Sequence, residues 1–266
     1  MPDRAELAAV FTDAAVAAAY QCRPPYPAEV FDQLKRLLAE HPRPRRVIDV
    51  GAGDGALARP LAVCADRVDA LDISPPMLAA GACRRGGDAS NLRRILGAAE
   101  TADLDGPYAM VTAGASLHWM AWRTTLSRLA AAMSPMAVLV IADRGYNQLA
   151  WRDQLTEIII RHTRSPDFDP GFSLAGELSN QGLLQVTGQA SWSEPFGQSI
   201  EAYIEQFHST SSLARKWMQE AESAAFDAAV RTIVEPYSTD GMLDMQVVAE
   251  LAWGRPTVAA DANIVC

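Results

Sequence analysis

The stretch from Val47 to Gly55 reads Val-Ile-Asp-Val-Gly-Ala-Gly-Asp-Gly, and it restricts the possible folds more than any other part of the chain. A β-favouring run passes into a glycine-rich turn, after which Ala56-Leu57-Ala58-Arg59-Pro60-Leu61-Ala62 opens a helix. Glycine at 51, 53 and 55 removes side chains where the chain must bend sharply, so the backbone can lie against a ligand. The next strand-like run, Arg67 to Leu71, ends in Asp72, 21 positions after Gly51. An acid about 20 residues beyond such a turn can receive the ribose hydroxyls of a bound nucleoside. Turn and acid together describe a nucleoside-cofactor site.

The chain around this turn keeps one alternation. Strands are expected at 46–50, 67–71, 92–96, 108–113 and 136–142, and helices at 55–64, 75–83 and 121–133. That order implies a parallel sheet with helices on both faces. The strands are apolar runs, as suits a sheet covered on both sides. Ligands of such sheets bind at the carboxyl ends of the strands. Gly51 to Gly55, Asp72 and the loop from Gly114 to Trp119 are therefore expected to converge. Before this core, helices are expected over Asp3 to Tyr20 and Pro27 to Glu40. After it come a helix from Gln148 to Arg161, a Pro/Asp/Gly-rich break at 165–173, and strands at 184–192 and 242–253. Helical patterns at 199–208 and 215–234 lie between those strands. The 266 residues are read as one domain: an N-terminal helical cap (1–45), a cofactor-binding core (46–145), and a C-terminal part (146–266) with a helical lid at about 196–241.

Charge narrows the cofactor. Gly51-x-Gly53-x-x-Ala56 also fits the relaxed dinucleotide fingerprint. A dinucleotide, however, sets its pyrophosphate at the helix N-terminus, where further anions are unwelcome. Asp49 precedes this turn and Asp54 sits inside it. Carboxylates suit a ligand carrying an ammonium and a sulfonium, so S-adenosylmethionine fits better than NAD. An NAD-dependent oxidoreductase stays open as an alternative, as does a scaffold that binds S-adenosylmethionine but promotes another reaction.

The chain resembles the class I S-adenosylmethionine-dependent methyltransferases, in particular the small-molecule branch with trans-aconitate and ubiquinone-type enzymes. The likeness runs through Tyr20-Gln21-Cys22-Arg23-Pro24-Pro25-Tyr26-Pro27, Val47 to Gly55, Leu71 to Leu78, Gly97 to Glu100, and Tyr108 to Trp119. It implies an α/β fold: a Rossmann-like, mostly parallel seven-stranded sheet with helices on both faces and a helical lid insertion. It departs from the family where a Pro-Gly-Gly turn is usual, here Ser134-Pro135-Met136-Ala137. The activity it implies is methyl transfer to a small organic molecule, in specialised metabolite biosynthesis.

Site candidates follow from both lines. Asp49, Gly51, Ala52, Gly53 and Asp72 form the turn and its flanking acids, with Ile73 and Met77 just beyond Asp72. The resemblance adds Ala99 and Glu100 as adenine contacts and Gly114 at the fourth strand's end. Tyr20 and Arg23 belong to the entry segment, where an arginine can hold a carboxylate bidentately. His118 is the candidate catalytic base, since its side chain titrates near neutrality. Tyr26, Trp119, Tyr146 and His208 are candidate substrate contacts.

The net charge of −9 opposes a phosphate-rich partner, so no nucleic acid is expected. No run approaches the ~18 apolar residues of a membrane helix. The Ala-rich start carries Asp3, Glu6 and Asp13 and lacks a signal-peptide layout. Cys22, Cys64, Cys83 and Cys266 are scattered, which points to reduced thiols in a cytoplasmic protein. His41, His118, His162 and His208 show no ligand spacing, and no metal is expected.

Overall fold

The computed structural model describes residues 4–165, 169 and 171–257. Asp3, Cys266 and residues 166–168 and 170 of the expected break lie outside them. In chain order the elements are α1 (Arg4–Ala9), α2 (Ala14–Ala19), α3 (Ala28–Ala39), β1 (Arg46–Val50), α4 (Ala58–Leu61), β2 (Arg67–Asp72) and α5 (Pro75–Ala82). They continue with β3 (Leu92–Leu96), β4 (Tyr108–Gly114), α6 (Trp122–Ala132), β5 (Met133–Asn147), α7 (Arg152–His162) and α8 (Leu174–Asn180). Last come β6 (Leu184–Ser199), α9 (Ile200–His208), α10 (Glu220–Val234) and β7 (Met242–Pro256).

The strands form a seven-stranded sheet in the order β3-β2-β1-β4-β5-β7-β6. The pairs β1–β2, β1–β4, β2–β3 and β4–β5 are parallel, with Val47 opposite both Val68 and Met110. This is the Rossmann-like sheet that the alternation predicts. The order turns back at β1: β2 and β3 lie to one side, β4 and β5 to the other. A crevice opens at the carboxyl ends of strands at such a switch point.

Two compact units emerge. One contains Tyr26–Arg144, Ser173–Trp192 and the chain from Ala249. Its strands alternate by period two between two apolar clusters. Val47, Val68, Ala70 and Met110 join α3 and α4 in one cluster, whereas Ile48, Val50, Leu71 and Val111 join α6 and α8 in the other. The second unit contains the chain up to Pro25, Gly145–Phe172 and Ser193–Val248. Its core is built on α7, α9 and α10 around Trp151, Tyr203, Phe226 and Val230.

Several boundaries differ from expectation. The helix expected over 3–20 is broken at Asp13, whose carboxylate caps α2 by accepting from the Ala15 amide. The helix expected at 55–64 contracts to α4. The helix after 148 begins only at Arg152, and Gln148 itself takes a left-handed φ of 52°. Ser173 caps an unforeseen helix, α8, accepting from the Gly176 amide. The segment Ser134-Pro135-Met136-Ala137, which lacks the usual glycines, is drawn into β5 beside a register irregularity between Tyr108 and Met110. There the Arg255 guanidinium donates to the carbonyls of Ser134, Pro135 and Ala137. Strands β6 and β7 run past their expected ends to Ser199 and Pro256.

Candidate functional site

Three glycines of the turn adopt left-handed backbone: Gly51 (φ 66°), Gly53 (57°) and Gly55 (79°). At Gly51 the constraint is doubled. A β-carbon there would stand 2.4 Å from the Ser116 β-carbon, far inside contact distance. Ser116 itself donates from Oγ to the Val50 carbonyl (2.6 Å), tying the end of β1 to the loop after β4. In that loop Ala115 is also left-handed (φ 48°), a costly conformation for a residue with a side chain. The Gly51 and Ala52 amides both donate to the Leu71 carbonyl, fixing the turn to β2.

Asp72 closes the turn from the other side. Its Oδ2 accepts from the Gly53 amide (2.7 Å) and its Oδ1 from the Ser74 amide (2.8 Å). Burial raises its pKa, while those amides and that of Ile73 pull it down. Ser74, not Asp72, caps α5, accepting from the Met77 amide. Beside Asp72 the Ile73 side chain is 41 % exposed, an apolar surface at the sheet edge, while Met77 is buried.

Asp49 lies one layer deeper. It shares the face of β1 with Val47 and is almost fully buried. Thr112 Oγ1, on β4, donates to its Oδ1 (2.7 Å). Burial raises the Asp49 pKa to about 7; the Thr112 hydroxyl and the Ala58 amide of α4 oppose that rise, and the negative charges of Asp72 and Asp54 add to it. Asp54 differs from its expected role. Its carboxylate pairs with Arg84 (2.8 Å), with Arg59 at 4.0 Å, so its charge is spent within the protein. The electrostatic case for a cationic ligand therefore rests on Asp49 and Asp72.

The remaining candidates of this unit surround the same edge. Ala99 is buried, and its carbonyl accepts from Arg128. Glu100 accepts from the Ala121 amide (2.9 Å) at the start of α6, so it braces that helix. The Tyr26 hydroxyl packs so closely on Gly114 that a β-carbon there would meet it at 2.9 Å. Arg144 lies over the Tyr26 ring at 4.4 Å. His118 and Trp119 follow β4 in a single 3-10 turn, half-buried, with ring centroids 4.6 Å apart.

Four candidates belong to the other unit. Arg23 donates to Oγ and the carbonyl of Ser209 and lies 4.3 Å over the Tyr20 ring. The Tyr146 hydroxyl sits 2.9 Å from Gln198 Oε1 and 3.0 Å from Gln206 Oε1. His208 is buried between the Leu213 carbonyl (2.9 Å from Nδ1) and Asp227 (2.6 Å from Nε2). Each is held by partners within its own unit.

Sequence reading passed over Thr112 and Ser116. The signal for Thr112 was present: a lone hydroxyl in the apolar run Tyr108-Ala-Met-Val-Thr-Ala-Gly, which in a buried strand needs a partner. For Ser116 no signal existed, because its hydroxyl bonds the Val50 carbonyl, 66 residues away in the chain. Among the described residues, no His/Cys/Asp/Glu group is arranged to hold a metal ion, no helix is long and apolar enough to cross a membrane, and Cys22, Cys64 and Cys83 form no disulfide.

Residues 23–187, well over half the chain, match a family described as a methyltransferase domain. No curated protein is a significant match to the sequence. Among solved structures, a proposed type II methyltransferase from Anaeromyxobacter dehalogenans aligns with a TM-score of 0.62 at 17 % identity, over 88 % of this chain and 97 % of its own. A methyltransferase from Geobacter sulfurreducens, solved with S-adenosyl-L-homocysteine, aligns with a TM-score of 0.51 at 19 % identity, over 91 % and 96 %. The Bacillus subtilis protein YcgJ aligns with a TM-score of 0.51 at 15 % identity, over 86 % and 99 %. At such identities these likenesses speak for the fold.

Proposed function

The chain belongs to the methyltransferase-domain family, and from that premise we propose that it transfers a methyl group from S-adenosylmethionine to a small organic molecule of specialised metabolism. The observation that carries the reading is the closure of the glycine turn by Asp72, whose carboxylate accepts from the Gly53 amide at the carboxyl ends of β1 and β2. Each carboxylate oxygen keeps a further lone pair, enough to receive a pair of ribose hydroxyls in charge-assisted bonds. Exposed Ile73 offers an apolar face for a purine, and the Ala99–Glu100 segment a backbone edge. The backbone of the Gly51–Gly53 turn is proposed to border the amino-acid end, and that of Gly114 the reacting centre. The buried Asp49 and Asp72 suit the donor's positive charge.

When bound, the donor supplies a methyl group already activated on a sulfonium. The protein's part is alignment and exclusion of water, which can account for most of the acceleration. His118, just past the end of β4, is the group proposed to take a proton from an acceptor with a near-neutral pKa. Trp119 and Tyr26 are proposed as apolar walls for that acceptor. The net charge of −9 favours a metabolite over a nucleic acid as acceptor.

Two measurements test the reading. Equilibrium dialysis is expected to show binding of S-adenosylmethionine and S-adenosylhomocysteine and none of NAD. Incubation with metabolite pools is expected to release S-adenosylhomocysteine alongside a product heavier by one methylene. A protein that binds neither adenosyl compound would end the proposal.

A further inference from the structure

Arginines that this fold takes partly out of water are bonded inside it. Arg84 pairs with Asp54 (2.8 Å), Arg164 with Glu222 (2.7 Å), and Arg128 donates to the Ala99 carbonyl. Every other half-buried arginine among the described residues likewise donates to a carboxylate, a carbonyl or a hydroxyl of the protein, with one exception. The exception is Arg144. Its backbone amide donates to Asp143 Oδ1 (2.8 Å), yet its guanidinium makes no ion pair or hydrogen bond with a described residue. It lies instead over the Tyr26 ring, 4.4 Å from the centroid.

The place of this cation gives it meaning. Arg144 stands on β5 two residues beyond Ala142, which pairs with Gly114, the last residue of β4. The Tyr26 ring beneath the guanidinium is buried, and its hydroxyl packs on that same Gly114. The charge is thus held at the carboxyl ends of β4 and β5, beside the position proposed for the reacting centre. Stacking uses the flat face of the ion and leaves its edge, with a fork of N–H donors, to a partner. A half-desolvated cation with idle donors is costly until an anion meets it. A carboxylate matches the fork with two parallel bonds.

Building on the methyl-donor reading, we propose that the acceptor is a small organic acid and that Arg144 holds its carboxylate, fixing which molecule enters and how it lies. The net charge of −9 repels such an acid at a distance, so a dedicated cation is what retains it. Arg144 takes no part in the transfer itself.

The test uses the full chain saturated with S-adenosylhomocysteine and two probes, benzoate and benzamide, which share ring and planar head and differ in charge. Ligand-observed NMR titration should show benzoate preferred by about tenfold or more. In Arg144→Met, which keeps an unbranched stem and removes the cation, the preference should fall to parity, with the affinity for S-adenosylmethionine unchanged by calorimetry. Arg144→Lys should restore only part of it, because an ammonium lacks the fork. Equal affinity of the two probes for the unaltered protein, or binding of neither, overturns the proposal, as does a preference that survives in Arg144→Met. Phenyl phosphate bound more tightly than benzoate would make this a phosphate site and overturn the carboxylate assignment. Weaker S-adenosylmethionine binding in Arg144→Met would give the guanidinium to the donor's own carboxylate and likewise overturn it. Should that variant fail to fold, the contrast between the probes in the unaltered protein decides alone. If neither adenosyl compound binds, it is the methyl-donor reading that fails, and the same contrast measured without them still decides on Arg144.

Discussion

Replacing Asp72 by alanine probes the link between the turn and its cofactor most directly. The change strips the acceptors from two backbone amides, those of Gly53 and Ser74, held at 2.7 and 2.8 Å. Each buried donor left without an acceptor costs about 1–3 kcal/mol, and removing a carboxylate that burial already disfavours returns part of that cost. The net expectation is a loss of about 2–3 kcal/mol in folding stability. Binding should suffer separately. Losing charge-assisted bonds to the ribose weakens S-adenosylmethionine by about 1.5–3 kcal/mol, roughly a 10- to 150-fold rise in dissociation constant. Urea denaturation at fixed pH measures the first quantity and calorimetric titration the second. Asp72→Asn, which keeps one acceptor but brings an N–H toward the other amide, should fall between. A variant with stability within 0.5 kcal/mol of the parent, or with unaltered donor affinity, would refute the assignment of Asp72 to this double role.

Three further expectations are open to simple tests. Gly51→Ala must place a side chain at φ 66° and 2.4 Å from the Ser116 β-carbon, so urea midpoints should reveal a loss of about 2–4 kcal/mol; a loss under about 1 kcal/mol would mean that the turn relaxes freely. The Asp49 pKa is raised from 3.8 to about 7, so the folded chain holds that proton more tightly than the unfolded chain. Its contribution to stability is full below about pH 4 and lost as pH rises through 7, so Asp49→Asn should gain on the parent over that window, approaching about 4 kcal/mol by pH 8; parallel stability–pH curves would contradict this. His118→Ala should lower turnover by about 100-fold with donor affinity unchanged, and a loss below about threefold in steady-state assays would leave the imidazole no part in proton transfer.

How far the chain could be read without coordinates depends on how local each cause is. The parallel core was legible because apolar runs, glycine turns and amphipathic helices alternate at short range, and each run reports its own burial. Val47 to Gly55 and Asp72 were legible for the same reason: backbone geometry at three glycines and one acid's spacing are properties of adjacent or nearly adjacent residues. What escaped depended on partners distant in sequence. Asp54 looked like a charge offered to a ligand until the fold brought Arg84 to it from beyond α5. Nothing near Glu100 in the sequence announced that its carboxylate would accept from the Ala121 amide at the start of α6. Thr112, Ser116 and Arg255 entered only through contacts across strands.

The order of residues alone determined the sheet, the sharp bend after β1 and the family, because torsional freedom at glycine and the pattern of buried positions are written residue by residue. Tertiary structure decided which of the acids near that bend keep their charge for something else. A carboxylate's electrostatic state follows from how much water it loses and which groups fold against it, and neither is a local quantity. Asp54 is neutralised by Arg84 from beyond α5, whereas Asp49 is left in the interior with a hydroxyl and an amide.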